Sequence, residues 1–367
     1  MISLDGNYGE GGGQIVRTAL AFSALTQQPF EVSNIRKGRC SGGLKNQHLY
    51  AIKALQELCD AEVEGAVLGS ERLKFTPHGL KTRTLVIDIK TAGSITLLLQ
   101  ALLLPCFFTE RKIFLRITGG TDTKWSMPAD YFSEVLLPVL APYGQVDFRL
   151  IRRGYYPAGG GKVEVSVESP YTLADFRDFS ALWDYLRAED KPLRLMEQGT
   201  LVHVRGISHA SQDLQAAKVA ERQSQAAKVI LSDLKCPLSV EEVYAPSSCT
   251  GSGIMLWAVF STDGEKTNRV GADALGEKGR KSEVVGKEAA ERLTNEIGYK
   301  TPVDEYLADN LLPWLALFGG EITVSKITNH VLTNIYVIEQ FLGPCFEIDR
   351  EKKIIRAKQQ ACGSYAS

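Results

Sequence analysis

The sequence has no continuous apolar run near the roughly 20 residues that a membrane-spanning helix needs. Its first residues, MISLDGNYGEGGGQ, lack the basic-then-apolar order of a secretion signal and do not form a transit peptide. Cysteine shows no pattern either, because the seven residues are an odd number and none forms a CxxC pair. Isolated thiols favour a reducing compartment. We therefore expect a cytoplasmic protein with no membrane segment.

An excess of either charge is also missing. The chain has 42 basic and 43 acidic residues and a net charge of −1, which argues against a surface that binds nucleic acid by bulk electrostatics. A local basic pocket for one terminal phosphate remains compatible with this balance. The 367 residues, 44% of them hydrophobic and 23% charged, describe a globular chain long enough for more than one domain.

A repeated pattern organises most of the chain: an apolar helix, a strand, an amphipathic helix and further strands. Phe30 and Ile113 occupy equivalent positions in the first two copies, about 80 residues apart, whereas the third copy follows after about 200 residues. An insertion of roughly a hundred residues therefore precedes the third copy. The three copies open with EGGGQIVRTALAFSAL, TAGSITLLLQALLLPCFF and TPVDEYLADNLLPWLALFGG.

The inserted segment is expected within 185–277, where strand-like GTLVHVRGI precedes a long Ala/Gln/Lys-rich helix and two further strand-like stretches. These elements predict a small α/β domain with its own core. The remainder, 1–184 and 278–367, is expected to form a large domain of three repeated units, each a small sheet with two helices. The predicted fold class is α/β (α+β).

His330 lies in KITNHVLTNIYVIEQFLG, where apolar residues recur at helical spacing. Thr328 or Asn329 is expected to cap this helix and Gly343 to end it. His330 is then placed in the first turn, where free backbone N–H groups favour anions. Taken alone, the stretch favours a capping or surface histidine over one directed at a phosphate.

Glycines 9, 11, 12 and 13 precede the first helix in DGNYGEGGGQIVRTAL, and they allow a ligand to approach the backbone closely. The motif is not a Walker A loop, because no GK[ST] follows, and it lacks the context of a dinucleotide fingerprint. Glu10 suits a metal ion and Arg17 a phosphate. A tight turn with a surface ion pair explains the same residues equally well.

Three further stretches contain chemically suggestive residues. Arg36 and Arg39 belong to a basic run that ends in Gln47 and His48 at the start of a helix, a pattern typical of phosphate binding as well as of a charged loop. The stretch GGTDTKWSMPADYF combines a glycine turn with an apolar wall suited to a base, to which Pro128 and Tyr131 contribute. In VDEYLADNL, acidic residues crowd the first turn of a helix, where they usually complement its dipole.

Taken in order, these motifs resemble those of the RNA 3′-terminal phosphate cyclase family. The resemblance covers nearly the whole large domain, whereas the insertion matches mainly in its position. It implies three repeats with a smaller inserted domain, in agreement with the repeated pattern. The motifs that carry it are DGNYGEGGGQIVRTAL, IRKGRCSGGLKNQHL, AGSITLLLQ, GGTD…PADY, RRGYYPAGGG, EYLADNL and HVLTNIYVIEQFL.

The activity implied by the resemblance is ATP-dependent conversion of an RNA 3′-phosphate to a 2′,3′-cyclic phosphodiester. His330 matches the family's nucleophile, which holds AMP covalently before AMP passes to the RNA. Glu10 and Asp309 would hold a divalent metal, Mg or Mn, and an adenine wall would come from Pro128 and Tyr131. ATP would also contact Gln100, Tyr306, Leu307, Ala308, Asp309 and Asn310. The RNA phosphate pocket would comprise Arg17, Arg36, Arg39, Gln47 and His48.

Two positions depart from the family pattern: Gly42 stands where proline is usual, and Asn310 where glutamine is common. Three alternatives remain at this point. One is a non-catalytic homologue acting in ribosomal RNA processing, although such relatives lack the histidine. The others are a distant enolpyruvyl-transferase-like enzyme and a generic nucleotide-binding protein. The sequence leaves the oligomeric state and the physiological RNA open.

Overall fold

The computed structural model describes residues 1–39, 41–189, 191–262 and 266–358. The expected domain segments 185–277 and 278–367 therefore include some residues outside that description, among them 359–367. None of the described helices is both long and apolar enough to cross a membrane.

The first repeat is a four-stranded sheet covered by two helices. A parallel pair, β1 and β2, is extended by antiparallel β4 and then β3, which gives the order β1-β2-β4-β3. Helix α1 is buried along its whole length. The elements are β1 (Ile2–Asp5), α1 (Gln14–Thr26), β2 (Phe30–Ser33), α2 (Asn46–Cys59), β3 (Glu62–Glu64) and β4 (Leu73–Thr76).

The second repeat has the same topology, with the order β5-β6-β8-β7 and β5 parallel to β6. Its second helix is broken into a short α-helix, a π-helical turn (Phe132–Leu136) and another short α-helix. The elements are β5 (Leu85–Asp88), α3 (Ile95–Cys106), β6 (Ile113–Gly119), α4 (Ala129–Tyr131), α5 (Leu137–Leu140), β7 (Gln145–Arg152) and β8 (Gly161–Glu168).

The third repeat is split. Helix α6 (Phe179–Ala188) leads to the short strand β9 (Leu193–Leu195). The other elements follow only after the insertion and complete a sheet of order β9-β14-β16-β15 with β9 parallel to β14. Chain order and pairing again match the first repeat. The later elements are α9 (Glu305–Phe318), β14 (Gly320–Thr323), α10 (Asn329–Leu342), β15 (Phe346–Asp349) and β16 (Ile354–Ala357), with the inserted elements numbered below.

The inserted elements form a fourth sheet of order β11-β10-β12-β13, against which two helices pack. The apolar residues of this unit form a core cluster separate from that of the repeats. Strand β12 is buried on both faces, since Leu256 belongs to the inserted core and Trp257 to the large one. The elements are β10 (Thr200–Ser211), α7 (Val219–Leu231), β11 (Leu238–Ala245), β12 (Ser252–Thr262), β13 (Lys266–Leu275) and α8 (Ser282–Gly298).

The predicted fold class, an α/β protein of repeated sheet and helix units, is confirmed. The pairings suggest domain limits that differ from 185–277 at both ends. Strand β9 pairs with β14 of the third repeat, and α8 packs through Val285 and Leu293 into the inserted core. We therefore propose that the inserted domain spans about 200–298 and interrupts the third repeat between its first strand and its first helix.

Helix starts follow local sequence signals. Ser94, Asp304 and Thr328 each precede a helix, and the side-chain oxygen of each accepts a hydrogen bond from a backbone N–H in the first turn. The predicted cap at Thr328 is thus confirmed, as is the end of α10 at Gly343, which has a φ of 75°. Helix α1 differs, because Gly13 precedes it and no side chain caps its start. Its free N–H groups are left for another partner.

Candidate active site

Helices from all three repeats meet at one cleft. The first helices of the repeats, α1, α3 and α9, are joined by a chain of side-chain hydrogen bonds. Arg17 Nε donates to Gln100 Oε1 at 3.2 Å, and Gln100 Nε2 donates to Asn310 Oδ1 at 3.0 Å. Gln100 and Asn310 each occupy the sixth position of their helix. The repeat therefore brings residues that are distant in sequence to one point.

His330 lies between two carboxyl groups at the start of α10. Its Nε2 is 3.5 Å from Glu10 Oε2, and its Nδ1 is 3.5 Å from Asp309 Oδ2. The histidine side chain is 48% exposed, that of Glu10 40% and that of Asp309 only 17%. Nε2 therefore faces the more open side of the pocket. Burial lowers the pKa of His330, an effect that Glu10 opposes and Arg17 and Arg39 reinforce, which favours the neutral imidazole.

Polar contacts fix the residues around the histidine. Glu10 accepts from Arg39 Nη2 at 3.3 Å and from Asn329 Nδ2 at 3.2 Å. Gln14 Nε2 donates to the backbone carbonyl of His330 at 3.1 Å. Sequence reasoning considered Asn329 only as a possible helix cap, because a cap position gives no sign of its distant partner.

Asp309 is nearly enclosed. Burial raises its pKa well above the ordinary value, and Glu305 and Glu10 raise it further, whereas Arg17 lowers it. Its Oδ1 has no hydrogen-bond partner within the part of the chain that the structure describes. Asn334 on α10 donates to the Asp309 backbone carbonyl at 3.0 Å. A buried carboxyl oxygen without a partner, next to two further carboxylates, suits a cation.

Positive charge collects beside the uncapped start of α1. Arg17 is 8% exposed, and burial lowers its pKa to about 10. Arg36 donates to the Gly43 carbonyl, and its pKa is lowered by burial and by Arg39. Removing a positive charge from water is costly, so an anion at this position would be stabilised.

His48 adds a buried donor to this region. Its Nδ1 accepts from the Lys45 backbone N–H at 2.9 Å, which places the ring proton on Nε2. That Nε2 has no partner among the described residues, and it lies where a Cβ on Gly13 would fall. Burial and the nearby arginines lower the His48 pKa to about 3, so the ring is neutral. Gln47, the residue before His48 on α2, lies beside Gly93.

The remaining predicted nucleotide residues border the cleft or lie beneath it. Gln100 and Asn310 line it together with apolar residues of α3, the π-helical turn and α9, around a cavity of about 40 Å³. Leu307 and Ala308 are fully buried in the core, which leaves only their backbone for a ligand. Pro128 and Tyr131 are also buried. The apolar lining residues are Leu99, Leu103, Leu104, Phe132, Leu136, Pro313 and Trp314.

A second cluster has ligand-type side chains but a different chemistry. Asp122, Asp130 and His209 converge within 4.8 Å in the described structure. Arg153 occupies the same space, with its Nη1 at 3.3 Å from Asp122 and at 2.8 Å from Asp130. The guanidinium already supplies the positive charge there, so we interpret this cluster as a buried ion-pair network between the second repeat and β10.

The fold and this pocket define a class of protein: an α/β enzyme built from repeats, with a histidine between two carboxyl groups and near a buried arginine. The family model for RNA 3′-terminal phosphate cyclase matches residues 8–348. Curated relatives with that name include those of Pyrococcus abyssi, 45% identical over 96% of both chains, and Pyrococcus furiosus, 44% over 95% of both. One from Methanopyrus kandleri is 42% identical over 95% of both. The chain belongs to the RNA 3′-terminal phosphate cyclase family.

Proposed function

We propose that this protein uses ATP to convert an RNA 3′-terminal phosphate into a 2′,3′-cyclic phosphodiester, through AMP attached covalently to His330. The observation that supports this most directly is the position of His330 between Glu10 and Asp309, near the buried Arg17 and at the start of a helix. Names of relatives at 40–45% identity agree with the overall reaction.

In the first step, the lone pair of His330 Nε2 attacks the α-phosphorus of ATP, and the bond to the β-phosphate oxygen breaks. Pyrophosphate leaves with the bonding electrons, and a phosphoramidate forms. The lowered pKa of His330 keeps the lone pair available near neutral pH. We assign the attack to Nε2 because Nδ1 faces the more enclosed Asp309.

In the second step, an oxygen of the RNA 3′-phosphate attacks the same phosphorus, and the P–N bond breaks to free the imidazole. The RNA then carries AMP on its terminal phosphate. In the third step, the vicinal 2′-hydroxyl oxygen attacks the RNA phosphorus and loses its proton, and AMP leaves. A DNA end lacks the 2′-hydroxyl, so RNA is the natural substrate.

Binding roles follow the two sides of the pocket. On the nucleotide side we place Gln100, Asn310 and Tyr306, the backbone of Leu307 and Ala308, and beneath them the buried apolar side chains of Pro128 and Tyr131. On the RNA phosphate side we place Arg17, Arg36, Arg39, Gln47 and His48. Arginine and a neutral N–H donor suit phosphate oxygens, and the free N–H groups at the start of α1 add to them.

Glu10 and Asp309 fit a divalent cation, Mg or Mn, since Asp309 Oδ1 lacks a partner among the described residues, and burial together with the nearby carboxylates raises the pKa of Asp309. When bound, such an ion supplies positive charge against phosphate oxygens. The free thiols of Cys59, Cys106 and Cys345 fit a reducing compartment, and we propose the cytoplasm.

Labelling with AMP tests the mechanism. The protein is incubated with α-labelled ATP and Mg or Mn, and acid-labile label is expected on the wild type and absent from His330→Asn. The matched control is His78→Asn, because His78 is an exposed histidine paired with Glu62. Label on His330→Asn, or none on the wild type, contradicts the covalent mechanism. An oligoribonucleotide with a 3′-phosphate, compared with its 3′-hydroxyl form, tests cyclisation and separates this enzyme from a non-catalytic homologue.

A further inference from the structure

An edge strand of the inserted domain lies against the residues assigned to the nucleotide side. Strand β13 pairs only with β12 in its sheet, and its odd-numbered residues point away from the inserted core. Val270 and Ala272 lie in that core. Arg269, Gly271 and Asp273 alternate with them and contact the large domain.

Each of these three residues has a partner in the large domain. Arg269 Nη1 donates to the Glu134 carbonyl at 2.6 Å, within the π-helical turn. The Gly271 N–H donates to Asp304 Oδ2 at 2.8 Å. Burial raises the pKa of Asp273 to about 6, and a hydrogen bond with the Tyr306 phenol opposes that rise.

Asp304 connects these contacts to the cleft. Its Oδ1 accepts from the Tyr131 hydroxyl at 2.5 Å and caps α9 by accepting from the Leu307 N–H at 2.9 Å. The Tyr131 ring lies edge-on to Tyr306, with 5.4 Å between centroids. A Cβ on Gly271 would lie 2.6 Å from Met255 Cε and 2.8 Å from the Tyr131 ring. Strand β13, the start of α9 and two tyrosines therefore form one continuous contact.

We infer that the inserted domain positions the nucleotide: Asp273 and Gly271 act as positioning residues that hold Tyr306, Tyr131 and the first turn of α9 in place for ATP. This inference rests on the proposed function, because that proposal places Tyr306 and Tyr131 beside the nucleotide. An inserted domain that merely covers the core would need no polar contact to these particular side chains. Here the contacts end on the wall of one substrate site.

Kinetics of the full-length enzyme separate positioning from general stability. Asp273→Ala removes the carboxyl beside Tyr306 and is expected to raise KM for ATP about fivefold, the scale of one lost hydrogen bond. The kcat and the KM for RNA should stay within about twofold. Asp273→Asn retains an acceptor for the phenol and should restore KM for ATP. Gly271→Ala should raise KM for ATP as well, because the added methyl group displaces the Tyr131 ring.

The control is Glu241→Gln, an exposed carboxyl on β11 at the opposite edge of the same sheet. Its kinetic constants should match the wild type. Unchanged KM for ATP in a folded Asp273→Ala enzyme overturns the inference, and so does an equal rise in KM for ATP and RNA. Equilibrium binding of labelled ATP completes the test. If the wild type binds ATP without cyclising RNA, the proposed function fails and the variants still test the inference through Kd. If the wild type binds no ATP, both fail.

Discussion

Glu296 allows a stability prediction whose size follows from the structure. It lies on α8 of the inserted domain, is 9% exposed, and its Oε2 has no partner among the described residues. Burial and, to a smaller extent, the nearby carboxyl of Asp304 raise its pKa to about 7, against an ordinary value of 4.5. Glu296→Gln keeps the shape of the side chain and removes the charge.

The raised pKa of Glu296 determines whether this group stabilises or destabilises the fold at a given pH. The folded protein holds the Glu296 proton more tightly than the unfolded chain does, so this group favours folding below about pH 4.5. That contribution is lost as the pH rises to about 7. At pH 8 the ionised group costs about 3 kcal/mol, at 1.36 kcal/mol for each tenfold change in proton affinity. Glu296→Gln should therefore increase the free energy of unfolding by about 3 kcal/mol at pH 8 and hardly change it at pH 4.5.

Urea unfolding followed by tryptophan fluorescence between pH 4.5 and 8 measures this difference. Glu291→Gln is the matched control, since Glu291 is exposed on the same helix and pairs with Lys287. It should change stability by less than about 0.5 kcal/mol at any pH. A Glu296→Gln protein no more stable than the wild type at pH 8, or equally stabilised at every pH, would refute the reasoning.

Three further predictions concern the site. Thr328→Ala removes the cap of α10 and should lower the free energy of unfolding by about 1 kcal/mol in thermal denaturation, with Thr328→Ser nearly unchanged. Attachment of AMP, measured in single turnovers from pH 5 to 8, should retain its plateau at pH 6.5, because burial lowers the pKa of His330. An acid limb centred above 6.5 would argue against a buried neutral histidine. Asp309→Asn should raise the metal concentration for half-maximal labelling at least about tenfold, and a chelator should stop labelling of the wild type. Labelling that is insensitive to both changes would exclude Asp309 as a ligand.

Helical periodicity and glycine turns were enough to predict the repeats, because each repeat buries an amphipathic helix. The strands that open the three repeats were not part of that prediction. Strand β9 has three residues, too few to show a period, and its partner β14 lies far along the chain. The core against which α8 packs could not be predicted from the pattern, for a related reason. An apolar helix face does not indicate which of two cores it packs against.

For the site, the sequence placed His330 in the first turn of a capped helix, and the repeat suggested that equivalent helix starts meet. The hydrogen bonds that join Arg17, Gln100 and Asn310 connect the first helices of the three repeats. The contacts of Asp304 could not be predicted, because a helix cap has the same local sequence whether or not a second domain donates to it. The full burial of Tyr131 could not be predicted for the same reason.

The split of the third repeat has a consequence during synthesis. Strand β9 ends at Leu195 and its partner β14 begins at Gly320, so 124 residues separate them. At the usual rate of translation, β9 leaves the ribosome on the order of 10 s before its partner exists. The first two repeats and the inserted domain have time to form in that interval. By folding, the inserted domain shortens the path between β9 and α9 and lowers the entropic cost of closing the last sheet. His330, which follows β14, is thus the last of the proposed catalytic and ligand-binding residues to be synthesised.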